Sequence, residues 1–196
     1  MCALHRENRD VDKIPTEILL GAYVEGVFPM SEEGEIYWFQ PKERGIIPLD
    51  ERFHIPHGLK RAMKKRPFEV RFDTAFREVM ERCSDREETW IDPIILESYC
   101  ELFEQGFAHS VECWDEDGLQ GGLYGVRLGR AFFGESMFSR KTDASKIALV
   151  KLVDWLREEG AILLDTQWMT DHLKTFGGYE VSAAEYRKML AMAVEI

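Results

Sequence analysis

Three short stretches of this 196-residue chain carry residue types suited to chemistry rather than to packing. The first is Gly134-Glu135-Ser136-Met137-Phe138-Ser139, where a carboxylate leaves a strand between glycine and serine, just ahead of a helix. The second is Asp165-Thr166-Gln167, which closes the apolar run Ala161-Ile162-Leu163-Leu164. A carboxylate at the end of such a run faces desolvation unless it is paired, so an unusual pKa or a dedicated partner is expected for Asp165. The third is Asp143-Ala144-Ser145-Lys146, a helix start of the kind that attracts anions. Each stretch also has a plain structural reading. Glu135 could serve a loop ion pair or a cap, Asp165 could cap the helix from Thr170 onward, and Asp143 or Thr142 could be a simple N-cap. None of the three alone names a reaction.

Several chemistries are disfavoured by what is missing. His109 and His172 have no serine elbow of the GxSxG type to work with. The glycine-rich Gly121-Gly122-Leu123-Tyr124-Gly125 falls inside a hairpin rather than before a helix, so it is neither a P-loop nor a dinucleotide fingerprint. Cys2, Cys83, Cys100 and Cys113 form no CxxC pair, so no metal site, cofactor or disulfide is expected, and the thiols read as buried apolar groups. Twenty-five lysines and arginines against 36 acids give a net charge of −11, which argues against non-specific coating of nucleic acid. A local basic face remains: Lys60, Arg61, Lys64, Lys65 and Arg66, followed by Arg71 and Arg77. That face is either a solvated helix surface or a patch for a polyanion. No run approaches the roughly 20 apolar residues of a membrane span, and the opening residues lack a secretory signal's apolar core. The expectation is a cytosolic protein with no membrane partner.

The elements that position these stretches are legible from periodicity. Thr16 to Glu25 reads as a helix between Pro15 and Gly26, Phe28-Pro29-Met30 as a break, and Tyr37-Trp38-Phe39 as a strand. A boundary near Pro41 divides a small N-terminal subdomain, residues 1–42, from a second unit, residues 43–196. There, Gly45 to Leu49 is extended, Pro56 to Lys65 helical, and Phe68 to Phe72 a half-buried strand. Asp73 is expected to cap a helix carrying Phe76, Val79, Met80 and Cys83, and Asp92-Pro93 to open one closing at Gly106. His109 to Trp114 is a strand, followed by a hairpin of Leu119 to Leu128 and Ala131 to Glu135. Ala144 to Glu159 is the longest helix, Ala161 to Asp165 a central strand, and Ser182 to Glu185 a capping box. The class is α+β, with helices on the faces of an antiparallel-rich sheet.

Taken in order, these stretches resemble the leucyl/phenylalanyl-tRNA–protein transferase family. The similar segments are Leu19 to Tyr23 with Gly26 to Pro29, Ser84 to Glu87 with Thr89 to Ile91, and Ala108 to Trp114. Gly121 to Val126, Gly134 to Ser139, Ala144 to Lys146, and Asp165 to Gln167 with His172-Leu173 complete the series. They run from about residue 17 to residue 190, nearly the whole chain.

The resemblance implies a GNAT-like domain that uses aminoacyl-tRNA instead of acetyl-CoA. The implied reaction moves Leu, Phe or Met onto the α-amine of proteins beginning with Arg or Lys, which marks them for degradation. Glu135, Asp165 and Gln167 match the family's functional polar residues. Asp165, acting through Gln167, is expected to hold and help deprotonate the amine. Glu135 is expected to attract the basic acceptor end or hold the terminal adenosine. Trp90, Phe132, Gly134 and Met137 match positions lining the apolar side-chain pocket, and Lys60, Arg61, Lys64 and Lys65 the basic patch for the acceptor stem. The chain departs from the pattern at Met30 (often Trp), Leu123 (sometimes Met), Thr166 (often Cys) and Asp143 (often Asn). The first three bear on pocket shape and the last on tRNA contact. Two rivals are a CoA-dependent N-acetyltransferase, for which Lys141 to Ser145 is a poor pyrophosphate loop, and a non-catalytic tRNA- or degron-binding module.

Overall fold

The computed structural model describes residues 13–65 and 68–195. The expectations on Cys2, Arg66 and the opening residues lie outside them. Helix α1 (Thr16–Val24) leads into a two-stranded antiparallel ribbon of β1 (Phe28–Glu32) and β2 (Glu35–Phe39). The chain continues as β3 (Glu43–Ile47), α2 (His57–Lys65), β4 (Glu69–Phe72), α3 (Phe76–Ser84) and α4 (Pro93–Glu104). Then come β5 (Ala108–Asp115), β6 (Gly118–Leu128), β7 (Ala131–Ser139), α5 (Ala144–Glu158) and β8 (Leu163–Asp165). Short α6 (Asp171–Lys174), β9 (Tyr179–Ser182) and α7 (Ala183–Val194) close the chain. Seven strands form one sheet in the order β4-β5-β6-β7-β8-β3-β9, antiparallel throughout except for β7 and β8. The α+β class and the mixed, antiparallel-rich sheet are as expected.

Both faces of the sheet are covered. Alternate residues of a strand point to opposite faces, so Phe133 joins a core with Tyr23, Tyr99, Tyr124 and Val79, while Phe132 joins one built on α5 with Val150 and Leu164. Leu19, Tyr23 and Phe28 of the N-terminal segment pack into the first of these cores.

Two local irregularities shape the site. The pairing of β7 with β8 stops at Phe133–Asp165, whereas β7 runs on to Ser139 against β6, so the sheet forks. The fork opens because the chain after Asp165 is claimed by β3. The Thr166 amide donates to the Gly45 carbonyl (2.9 Å), the Gly45 amide to the Gln167 carbonyl (3.0 Å), and Gln167 turns away at φ 60°. A Cβ on Gly45 would lie 2.8 Å from Thr166 Oγ1 and 2.9 Å from the Met169 nitrogen, so this crossing needs glycine. At the same level β7 bulges. Gly125 pairs with Gly134 and Tyr124 with Ser136, which leaves Glu135 as the inserted residue.

Four expectations are corrected. The strand expected to end at Glu135 runs on through Ser136 to Ser139, since the hairpin partner β6 is long enough to carry it. Phe28-Pro29-Met30 is strand β1 rather than a break, and Pro29 is tolerated because a two-stranded ribbon is all edge. Asp73 does not cap α3: at φ 58° it accepts from the Ser110 amide (2.8 Å) and bonds His109 Nδ1 (2.8 Å). Glu112 serves that helix start instead, accepting from the Thr74 and Ala75 amides (3.0 and 2.9 Å). Asp143 makes no side-chain cap either, because its carboxylate is held by Lys146 Nζ at 2.7 Å.

Candidate active site

The fork encloses a cavity of about 480 Å³. One wall is β7, with Gly134, Glu135, Ser136 and Met137, and the opposite wall is the segment from Leu164 through Leu173. Leu123, Leu149, Leu152, Leu164 and Leu173 give it an aliphatic lining, and Met30, Trp90 and Trp168 line it as well.

Glu135 owes its direction to the bulge. Two consecutive residues, Glu135 and Ser136, turn toward one face, where a regular strand would have alternated them. Glu135 Oε1 accepts from the Tyr23 hydroxyl (2.7 Å), which is itself bonded to the Tyr99 hydroxyl, and Oε2 accepts from Gln167 Nε2 (3.0 Å). Burial pushes the carboxyl up to about 7; the Tyr23 and Gln167 bonds oppose the rise, and the Asp165 charge adds to it. The Tyr23 and Tyr99 hydroxyls are themselves raised well above the ordinary phenol range, first by burial and then by the Glu135 charge. Glu135 is the one carboxylate among the described residues that lines the cavity, and it titrates near neutrality.

Asp165 has a different environment. It is fully buried and does not line the cavity. Arg44, 1% exposed, grips it from Nε (2.9 and 3.0 Å) and Nη2 (2.7 Å). The Tyr186 hydroxyl adds a bond at 2.6 Å and the Gln167 amide another at 2.7 Å. Arg44 is sandwiched between the Phe28 and Tyr186 rings at 4.9 and 4.5 Å, with Nη1 donating to the Gly26 carbonyl. The dedicated partner expected for Asp165 exists, and it is Arg44. Asp165 thus fixes the backbone of Gln167, whose side chain in turn holds Glu135.

Of the residues expected in the apolar pocket, Trp90, Gly134, Met137, Leu123 and Met30 line the cavity. Phe132 does not: strand alternation drives it into the α5 core, where it meets Trp155 edge-on at 6.3 Å. Lys60, Arg61, Lys64 and Lys65 lie on α2, exposed, and none has an ion-pair partner among the described residues. Buried side-chain atoms without any partner are few among the described residues: Tyr124 Oη, Thr166 Oγ1 and His172 Nε2. All three residues line this cavity. Burial, followed by the charge of Lys146, lowers the His172 pKa and keeps the ring neutral at pH 7. Cys83, Cys100 and Cys113 are buried and their thiols pushed up to about 12, 11 and 12, which removes them as nucleophiles. Sequence reasoning missed Arg44, Tyr23, Tyr99, Tyr186 and the α5 leucines. Tyr23 lies within one of the resembling segments, but no local signal separated it from core aromatics.

The forked mixed sheet, with a cavity between the parting strands, agrees with the GNAT-like fold that the resemblance implies. In keeping with that class, the structure resembles FemX (TM-score 0.56, 13% identity, 85% of this chain and 66% of that chain). It also resembles L-PGS from Bacillus licheniformis (TM-score 0.50, 11% identity, 92% and 71%). The sequence narrows this further. Residues 46–191 match the leucyl/phenylalanyl-tRNA protein transferase family and residues 12–42 the N-terminal domain of the same proteins. The leucyl/phenylalanyl-tRNA–protein transferase of Akkermansia muciniphila is 62% identical over 189 residues, 94% of this chain and 98% of that protein. Those of Herpetosiphon aurantiacus and Paramagnetospirillum magneticum are 52% and 53% identical, covering 93% and 92% of this chain and 96% and 90% of theirs. The chain belongs to the leucyl/phenylalanyl-tRNA–protein transferase family.

Proposed function

We propose that this chain transfers Leu, Phe or Met from aminoacyl-tRNA in the cytosol to the α-amine of proteins with N-terminal Arg or Lys, marking them for degradation. The observation that carries the chemistry is Glu135, a carboxyl held near neutrality in a cavity lined largely by leucines. The aliphatic lining takes the donor side chain. One methylene there separates substrates by only about 1–3 kcal/mol, so Leu, Phe and Met can share it.

The ester on tRNA is already activated, and an α-amine titrates near 7.7–8.0, so roughly a tenth is neutral at pH 7. Positioning of amine and ester supplies the larger share, about 7–11 kcal/mol. The neutral amine attacks the ester carbonyl, and Glu135 accepts the proton lost by the nitrogen. As the C–O bond breaks, the departing ribose oxygen takes that proton back from Glu135. A group titrating near the working pH suits both transfers. Gln167 holds the carboxylate, and Asp165 with Arg44 holds Gln167. In this reading Glu135, rather than the expected Asp165, is the base, and Asp165 and Gln167 are positioning residues. Lys60, Arg61, Lys64 and Lys65 form an exposed cationic face for the acceptor stem.

The test is transfer of labelled Leu, Phe or Met from charged tRNA to peptides beginning with Arg or Lys. Label in the peptide is expected. Binding of tRNA without transfer would favour the non-catalytic module, and modification only with acetyl-CoA the acetyltransferase.

A further inference from the structure

The Ser84-Asp85-Arg86-Glu87 segment has no part in the chemistry above, yet Arg86 lines the reaction cavity. Its Nε donates to the Cys83 carbonyl (2.7 Å) and its Nη2 to Ser136 Oγ (2.8 Å). Ser136 is the residue that the bulge turns to the same face as Glu135, so one irregularity delivers both groups. Both partners of Arg86 are neutral, and it has no ion-pair partner among the described residues. It is also the one lysine or arginine among the described residues lining that cavity. From there a groove of about 430 Å³ runs out along β7, sharing Arg86 and Met137 with the cavity and reaching Arg82, Asp85 and Arg140. Arg140 is followed by Lys141, which is paired with Asp115 and Asp117 and lines a further depression with Lys65 of α2, Glu116 and Asp143.

We infer that this groove holds the phosphodiester backbone of the donor's single-stranded 3′ end, with Arg86 and Arg140 as its phosphate contacts. The inference rests on charged tRNA being the donor. A stem bound at α2 must send its unpaired end to the fork, and the edge of β7 from Arg140 back to Ser136 is a path lined by guanidinium groups. A protein of net charge −11 needs local cations to admit a polyanion. A cationic acceptor N-terminus would be repelled by the same groups.

The experiment measures binding of an acceptor-stem minihelix carrying its single-stranded 3′ end, and of the blunt duplex of the same stem, over a range of salt. Arg86→Gln is expected to weaken the tailed form at least about fivefold and to lower its salt slope by about 0.7, the value for one single-strand phosphate. The blunt form should stay within about twofold. Arg140→Gln, on an exposed side chain with little bearing on folding, should act in the same direction. Arg86→Lys, which keeps the charge and loses the two-point grip, should fall between. Lys64→Gln should weaken both forms alike. The inference is overturned if Arg86→Gln and Arg140→Gln leave tailed binding within about twofold, or weaken the blunt duplex equally. Because binding rather than turnover is read, failure here is distinct from failure of transfer, which the labelling assay reports.

Discussion

Glu135 and Asp165 lie two bonds of one hydrogen-bonded chain apart, yet their environments push them to different tasks. Asp165 is saturated by Arg44, Tyr186 and Gln167 and is closed off from the cavity. Glu135 accepts two bonds and is buried enough that its carboxyl is pushed up to about 7. A carboxyl raised on folding costs stability as pH climbs from its unfolded value toward its folded one. Its contribution is full at low pH and lost through pH 7. Glu135→Gln should therefore raise the melting temperature at pH 8, by on the order of 2–3 kcal/mol of stability less the screening of cavity water, and change it little at pH 4. Thermal melts of both proteins at the two pH values would show this; equal stability at pH 8 would mean that Glu135 is not strained there. Asp165→Asn strands the buried Arg44 charge, and about 3–5 kcal/mol should be lost, read as a fall in the urea midpoint.

The elements act through two departures from regularity, the fork and the bulge. Gly125 sits opposite the bulge, and a Cβ there would lie 2.2 Å from the Phe133 carbonyl oxygen and 2.4 Å from the Phe132 ring. Backbone and a core aromatic have nowhere to retreat. Gly125→Ala should destabilise the protein by at least about 1–3 kcal/mol and should depress transfer, because re-registering β6 against β7 turns Glu135 and Ser136 apart. A melt unchanged within about 0.5 kcal/mol would show that the bulge is softer than its packing indicates. Periodicity located α3 and α5, caps located α4 and α7, and the class of the sheet followed from their order. The fork and bulge were not legible, since both depend on register between strands rather than on residues within one. Arg44 escaped for the same reason. It sits in a charged Lys42-Glu43-Arg44 run, and its partner lies 121 residues away. Asp165 and Glu135 could be picked out locally, but which of them faces a ligand is a property of the fold.

Across the whole molecule, charge is divided by task. A net −11 keeps the surface from holding nucleic acid at random, while α2 presents Lys60, Arg61, Lys64 and Lys65 with no acid partner among the described residues. Reversing two of them, Lys60→Glu with Lys64→Glu, should raise the KM for charged tRNA at least about tenfold and flatten its salt dependence. The maximal rate should be unchanged, since no residue of α2 lines the cavity. Loss of maximal rate with KM intact would remove α2 from the tRNA surface. The central claim is that acyl transfer takes place in the fork with Glu135 carrying the proton. Its most direct test is a single-turnover measurement of leucine passing from Leu-tRNA to an Arg-initiated peptide at pH 7, by the wild-type chain and by Glu135→Gln. A loss of about 10²–10⁴-fold in rate with tRNA affinity preserved is expected. Transfer by Glu135→Gln within about threefold of wild type would contradict it.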